Sequence, residues 1–183
     1  VISNATTANT GVYSATGTSA GCTGPAGSTN ITVNPLPVLS AISSQTVCGG
    51  ATVNASNFSS TPSGATINWT NNQTGIGIAG SGAGNIASYT APTPTSATTG
   101  TITATPVLTG CTGSPITFTI TINPTPTLTA VASQTVCGGA AVTAIAYTTN
   151  PAASPVNWTN NNTGIGIGAS GTGNIAGYTA PTV

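Results

Sequence analysis

Four cysteines are the residues of this chain whose side chains could do covalent chemistry, and they are spread singly at Cys22, Cys48, Cys111 and Cys137. A catalytic thiolate needs a base or a cation beside it, and a structural zinc ion needs clustered thiolates or histidines. The chain offers neither, because it has no Lys, Arg, Asp, Glu or His among its 183 residues. Isolated cysteines in such a chain are more typical of disulfide partners, and we therefore expect a secreted, extracellular protein.

The absence of charged side chains also excludes the other common classes of functional site. General acid–base catalysis needs His, Lys or a carboxylate, and calcium sites need carboxylates. Nucleic acids and anionic membrane surfaces are bound through Lys and Arg. No apolar run reaches the roughly 18 residues of a membrane span. We predict that the chain is not an enzyme, has no catalytic, cofactor-binding or metal-binding residues, and neither binds nucleic acid nor inserts into a membrane.

The strongest signal in the sequence is an internal repeat of 89 residues. The heptapeptide SQTVCGG occupies Ser44–Gly50 and again Ser133–Gly139, and the same spacing relates the Asn-Pro-x-Pro segments at 34–37 and 123–126. Proline fixes φ, donates no backbone hydrogen bond and holds the preceding residue extended. We therefore predict that the two proline segments are linkers between domains.

These linkers divide the chain into three predicted domains. Residues 1–36 are the C-terminal part of one β-sandwich repeat, residues 37–125 a complete repeat, and residues 126–183 the N-terminal part of a further one. After a shift by 89, the partial domains complement each other, with about five residues of overlap between Val1 and Val183. Two interpretations stay open: an internal window on a longer repeat array, or a polymer in which the tail of one subunit completes the head of the next by strand addition.

The residue pattern predicts an all-β fold. Val, Ile and Thr are abundant and 38% of the residues are hydrophobic, which argues against disorder. Ile116, Phe118, Ile120 and Ile122 alternate with threonines, as in a half-buried strand. About seven strands are expected in the complete repeat, near Val38–Ile42, Thr52–Phe58, Ala65–Thr70, Gly75–Ala79, Asn85–Thr90, Thr99–Leu108 and Pro115–Asn123. They favour an immunoglobulin-like two-sheet sandwich over a closed barrel.

Three aromatic residues are candidates for the core. Trp69 and Trp158 follow matching Ile-Asn and Val-Asn pairs, where a sandwich places its buried aromatic on the third strand. A sugar-stacking platform is the alternative for both. Tyr13 ends an Asn-x-Gly-x-Tyr segment similar to the tyrosine corner of immunoglobulin-like domains, but Ile102 replaces it in the other repeat, so we expect a core residue rather than a shared corner.

Counting cannot settle the cysteine pairing, because four cysteines allow three connectivities, and we favour a pairing within one domain. A Cys48–Cys111 disulfide would lie within one domain and close a loop of about 64 residues, worth about 4 kcal/mol. Cys22 and Cys137 would then pair with partners outside the segment. Immunoglobulin-like topology, however, places Cys48 and Cys111 at opposite poles of the domain, in which case each could bridge to a neighbouring domain and stiffen a rod.

Four segments together resemble the PKD-like and immunoglobulin-like tandem repeats of very large surface proteins in Bacteroidota, including gliding-motility adhesins. They are SQTVCGG, GCTGSP at Gly110–Pro115, the GxGNI run at Gly82–Ile86 and the TITINPTP exit at Thr119–Pro126. The resemblance covers the whole chain and implies export, filament-like stalks and adhesion to surfaces or polysaccharides. Classical PKD domains carry an acidic segment after the tryptophan, where this chain has Asn71-Asn72-Gln73.

The expected function is therefore a structural repeat segment, a stalk or filament, of a large secreted cell-surface adhesin. Its partners would be neighbouring repeats and surface polysaccharide. The alternatives are a glycan-binding β-sandwich module, a subunit of a strand-exchanged extracellular filament, and an accessory region of an enzyme.

Overall fold

The computed structural model describes residues 4–182, and these form an all-β protein with three short 3₁₀ helices at Thr7–Asn9, Thr74–Ile76 and Thr163–Ile165. Within this part of the chain, no helix has the length and apolar character that crossing a bilayer requires. The expected overlap between the two partial domains involves Val1 and Val183, which lie outside the described residues.

The twenty strands of residues 4–182 fall into three groups. The N-terminal group has four strands: β1 (Gly11–Ala15), β2 (Thr18–Ser19), β3 (Cys22–Thr23) and β4 (Gly27–Ile31). The central group has ten: β5 (Val38–Leu39), β6 (Gln45–Cys48), β7 (Thr52–Val53), β8 (Ser60–Thr61), β9 (Thr66–Asn71), β10 (Ser81–Ala83), β11 (Tyr89–Thr90), β12 (Thr98–Leu108), β13 (Cys111–Thr112) and β14 (Ile116–Asn123). The C-terminal group has six: β15 (Thr127–Leu128), β16 (Ala141–Val142), β17 (Thr149–Asn150), β18 (Asn157–Thr159), β19 (Ser170–Thr172) and β20 (Tyr178–Thr179).

The central group is built on one six-stranded sheet in the order β10-β9-β12-β14-β6, with β13 attached to β12. Only the β14–β6 pair is parallel. The inward residues of β12 and β14, including Ile102, Ile120 and Ile122, are fully buried, whereas the residues between them face outward. The small sheets β5–β8 and β7–β11 supply Leu39 and Val53 to the same core. Two layers around one apolar core are consistent with a β-sandwich.

The strand predictions for β12 and β14 agree with the structure almost to the residue, but four others need correction. The predicted strand Gly75–Ala79 is wrong, because its first residues form the 3₁₀ helix Thr74–Ile76 and Gly77 follows with φ +94°. Three predicted strands are too long: Val38–Ile42, Thr52–Phe58 and Asn85–Thr90 are strands only at β5, β7 and β11, and a single bridge joins Ser56 to Ile86. Strands β6 and β10 were not predicted.

The chain enters and leaves the central group at opposite poles. At the entry pole, the Pro37 carbonyl lies against Gly113, where no side chain would fit, beside the β12–β13 turn. At the exit pole, the Gly49 N–H donates to the Asn123 carbonyl at 2.8 Å, where β14 ends. Between the poles run the long strands β12 and β14, in antiparallel register.

The N-terminal and C-terminal groups repeat parts of the central geometry at the same spacing of 89. β1 pairs with β4 from Gly11 opposite Ile31 to Ala15 opposite Gly27, in the register that joins Gly100 to Ile120 and Ala104 to Ile116 in β12 and β14. β18 and β19 likewise repeat the pairing of β9 and β10. The backbone of the N-terminal group therefore matches that of the β12–β14 hairpin. The backbone of the C-terminal group matches that of the central strands that pack against this hairpin.

Candidate functional site

Ionisable chemistry is confined to cysteines and tyrosines, and the described residues contain no His, Cys, Asp or Glu cluster that could hold a metal ion. Tyr89 is a half-buried ionisable group packed against the central core. Burial raises its pKa above the ordinary value, and its Oη donates to the Ile76 carbonyl at 2.8 Å. This phenol is a hydrogen-bond donor that fastens the 3₁₀ helix Thr74–Ile76 to the sandwich, with no base beside it that would make it a nucleophile.

The structure does not bring Cys48 and Cys111 together. Cys48 lies opposite Asn123 at the exit pole, and Cys111 follows the turn that leads into β14 at the entry pole. The seven residue steps from Ile116 to Asn123 span roughly 23 Å of strand, whereas a disulfide requires Cα atoms about 4.4–6.8 Å apart. The favoured within-domain pairing is therefore incompatible with this fold, and all four cysteines have free thiols, those of Cys22, Cys48 and Cys137 exposed.

Trp69 lies in the central core with 8% of its surface exposed, and its Nε1 donates to the Gly84 carbonyl at 3.1 Å. The ring lies flat on Gly82 of the neighbouring strand β10. Trp158 lies in the same way on Gly171, but it is half-buried and its Nε1 has no hydrogen-bond partner. The indole of Trp69 therefore offers no open face of the kind that stacks on a sugar ring.

Tyr13 has the hydrogen bond of a tyrosine corner, since its Oη donates to the Asn9 carbonyl four residues upstream at 2.9 Å. Its ring is 43% exposed rather than part of a core. The equivalent residue in β12 is Ile102, which is fully buried by the elements packed on that hairpin. The exposure of Tyr13 thus reflects a hairpin whose inward face is uncovered.

The C-terminal group contains an open apolar cleft of about 670 Å³. Ile165 lines it and is 43% exposed, whereas Ile76, in the same 3₁₀ geometry with a left-handed glycine after it, is 0% exposed. The difference arises because β12 and β14 cover Ile76, and no strand in the described chain covers Ile165. Val131 and Val136 are exposed at the rim of the same cleft.

The cleft also has an edge of unpaired backbone. The sequence Gln-Thr-Val-Cys forms strand β6 at Gln45–Cys48, where it pairs with β14. The identical sequence at 134–137 forms no strand. Since the residues are the same, the strand depends on its partner and not on local propensity. Within the described residues, the Cys137 carbonyl accepts from the Ala140 N–H at 3.1 Å, and the rest of the backbone at 134–137 has no strand partner.

Sequence reasoning did not identify the cleft, although one signal in the repeat points to it. Gly100 and Gly11 share one repeat position, and a Cβ at Gly100 would lie 2.5 Å from the Ile76 Cδ1 atom. A glycine within a strand often marks such a close approach. Its recurrence at Gly11, where nothing lies within 4 Å, indicates that β1 also has room for an isoleucine side chain.

A scan against models of protein families finds no match for this chain, and a search of curated proteins finds no significant similarity.

Proposed function

We propose that this chain is a structural repeat segment of a large secreted cell-surface adhesin, in which immunoglobulin-like, PKD-like β-sandwiches of 89 residues follow one another in a stalk or filament. One observation carries the proposal: the chain enters the central group beside Gly113 and leaves it at Asn123, at the opposite pole. Domains with this arrangement extend when joined in series, and each adds roughly 36 Å, the length of the eleven-residue strand β12.

The sequences and hydrogen bonds of the two linkers indicate that the proposed rod is stiff. Each begins Asn-Pro and ends in proline, so few backbone torsions are free to bend. Across the entry junction, the Asn34 side chain donates to the Thr109 carbonyl at 3.3 Å. At the exit junction, the Thr125 hydroxyl donates to the Gly49 carbonyl at 2.7 Å. These bonds tie the linkers to the poles of the central sandwich and limit rotation between neighbours.

The cysteine positions fit the same arrangement. Cys48 lies at the exit pole and Cys111 near the entry pole, so in a series of repeats a cysteine of the Cys48 type faces one of the Cys111 type in the next repeat. A disulfide there would join two domains without closing a loop inside either. Such bridges suit an extracellular, oxidising setting and a stalk that resists pulling.

The glycan-binding alternative has less support. The indole of Trp69 is covered by Gly82 and lies in the core, and polysaccharide contacts would depend on neutral Asn, Thr and Ser side chains alone. Adhesion to polysaccharide therefore fits a distal region of the proposed adhesin better than this segment, which supplies length and stiffness.

The proposal is tested in the source cell with antibodies raised against the 183-residue chain. Immunogold microscopy of intact cells is expected to label fibres that extend from the surface, and permeabilising the cells should add little label. A non-reducing blot should show a mass many times the 17.4 kDa of this chain. Label only after permeabilisation, or a band near 17.4 kDa, would contradict the stalk.

A further inference from the structure

We propose that the parallel strand pair β6–β14 is a mechanical clamp that bears the load when the central sandwich is pulled along its long axis. The clamp consists of Ser44–Gly49 and Thr119–Thr125. The inference deepens the proposed stalk function, but it concerns a property of residues 37–125 and is measured on the purified chain.

Tension reaches the two strands of the clamp from opposite directions. The chain enters the sandwich at Pro37 and leaves it after Asn123, at the opposite pole. Since β6 is parallel to β14, both strands run from the entry pole towards the exit pole. Tension therefore pulls β6 by its N-terminal end towards the entry pole and β14 by its C-terminal end towards the exit pole, so the strands must slide past each other.

The clamp is a longer connection than the one that precedes it in the chain. β5 has two residues paired with β8, and one further bond joins the Ser40 N–H to the Ser59 carbonyl at 3.0 Å. The clamp has four residue pairs, with Ile120–Asn123 opposite Gln45–Cys48. We therefore expect β5 to detach before the clamp, and the clamp to set the force at which the sandwich opens.

The bonds of the clamp are loaded at the same time. Strands that slide past each other strain all of their bonds together, whereas a hairpin pulled apart from one end loses its bonds one after another. Three bonds strengthen the clamp near its ends: the Ser44 Oγ accepts from the Thr119 N–H at 2.9 Å, the Gly49 N–H donates to the Asn123 carbonyl at 2.8 Å, and the Thr125 hydroxyl donates to the Gly49 carbonyl at 2.7 Å.

The rest of the sandwich holds β6 in place beside β14. The Gln45 side chain donates from Nε2 to the Asn54 carbonyl at 3.0 Å and accepts at Oε1 from the Asn54 N–H at 2.9 Å. Val47 of the same strand packs against the core. These contacts keep β6 from turning away from β14, so tension separates the two strands by sliding.

Exposed side chains allow the clamp to be weakened without a change to the core. Ser44 and Thr125 are both exposed, so a double variant, Ser44→Ala with Thr125→Val, removes two end bonds and keeps the apolar contacts of β6. Gly82→Ala is the control for stability, because it overpacks the core at β10, outside the clamp. Thr98→Val is the control for a lost hydroxyl, since its bond to the Ser96 carbonyl at 3.2 Å also lies outside the clamp.

Optical-tweezers measurements at constant force, on the full chain held by peptide tags at its two ends, give the test. Unfolding of residues 37–125 is identified by a lengthening of roughly 270 Å, the extended length of these residues less the roughly 36 Å between the poles. The unfolding rate of the double variant should rise roughly 30-fold, since each lost bond contributes about a factor of five. The rates of both controls should stay within about twofold of the parent rate, because contacts that are intact when the clamp breaks do not affect it.

Either of two results overturns the proposal: a double variant that unfolds at the parent rate, or a Gly82→Ala chain that is accelerated as much as the double variant. Circular dichroism shows that each variant is folded before it is pulled, and Trp69→Phe replaces Gly82→Ala if that variant does not fold. Loss of the clamp proposal would leave the stalk proposal in place, since labelling of intact cells decides the latter. Absence of surface label would likewise leave the rates measured under force unchanged.

Discussion

Gly82 lies against the indole of Trp69 so closely that a Cβ at position 82 would come within 2.7 Å of the Trp69 Cε2 atom. Gly171 has the same relationship with Trp158, 89 residues further along the chain. The tryptophan of each repeat therefore needs a glycine on the neighbouring strand. This requirement explains the first glycine of the Gly-x-Gly-Asn-Ile run in terms of packing.

Replacing Gly82 with alanine should destabilise the central sandwich by roughly 1–3 kcal/mol, because the added methyl group overpacks the core against a ring that has no room to move. Gly80→Ala is the control, since the nearest side-chain atom to its Cβ is 3.8 Å away and its φ is not positive. Urea unfolding followed by circular dichroism measures both. Equal midpoints for the two variants would refute the packing argument.

Trp69→Ala should cost about 3–5 kcal/mol, a large fraction of the stability of a small domain. Trp69→Phe keeps most of the apolar contact and loses the hydrogen bond to the Gly84 carbonyl, so it should cost less. Trp158→Ala should have a smaller effect than Trp69→Ala, because the Trp158 ring is half-buried and its Nε1 is unpaired. Calorimetry of the three variants checks this order, and an equal loss at both tryptophans would contradict it.

Asn71 is a buried polar residue that organises the turn after β9. Its Oδ1 accepts from the Gln73 N–H at 3.0 Å, and its Nδ2 donates to the Gln73 carbonyl at 2.9 Å. Asn71→Ala should destabilise by about 1–3 kcal/mol, since these backbone groups lose their partner. Asn68→Ala, on the exposed face of the same strand, is the control and should change stability by less than about 0.5 kcal/mol.

The same residue shows why part of the fold was predictable and part was not. Local alternation identified β12 and β14, because each presents one apolar and one hydroxylated face. The segment Gly75–Ala79 also alternates, but the side chains of Asn71 and Gln73 bind its backbone and hold a 3₁₀ helix. Side-chain bonds to the main chain do not appear in a hydropathy pattern.

Non-local pairing limited the other predictions. Gln45–Cys48 becomes a strand only where β14 lies beside it, as the irregular copy at 134–137 shows. Composition led us to expect no metal or acid–base site, but it could not locate a cleft made by leaving apolar residues uncovered. Comparing equivalent glycines between repeats, such as Gly11 and Gly100, is the step that finds it.

Stability should be almost independent of pH from about pH 5 to 7, because no side chain in the sequence has its ordinary pKa in that window. At high pH, the ionisation of Tyr89 limits the stability of the fold. Its pKa is raised in the folded state by burial, so folding favours the neutral phenol. The free energy of unfolding should stay constant below the unfolded pKa of about 10 and fall as the pH rises further. Tyr89→Phe should remove this loss of stability at alkaline pH, and denaturant titrations across the pH range measure it. If the free energy of unfolding of the variant still falls above about pH 10 as steeply as that of the parent chain, another group causes the loss.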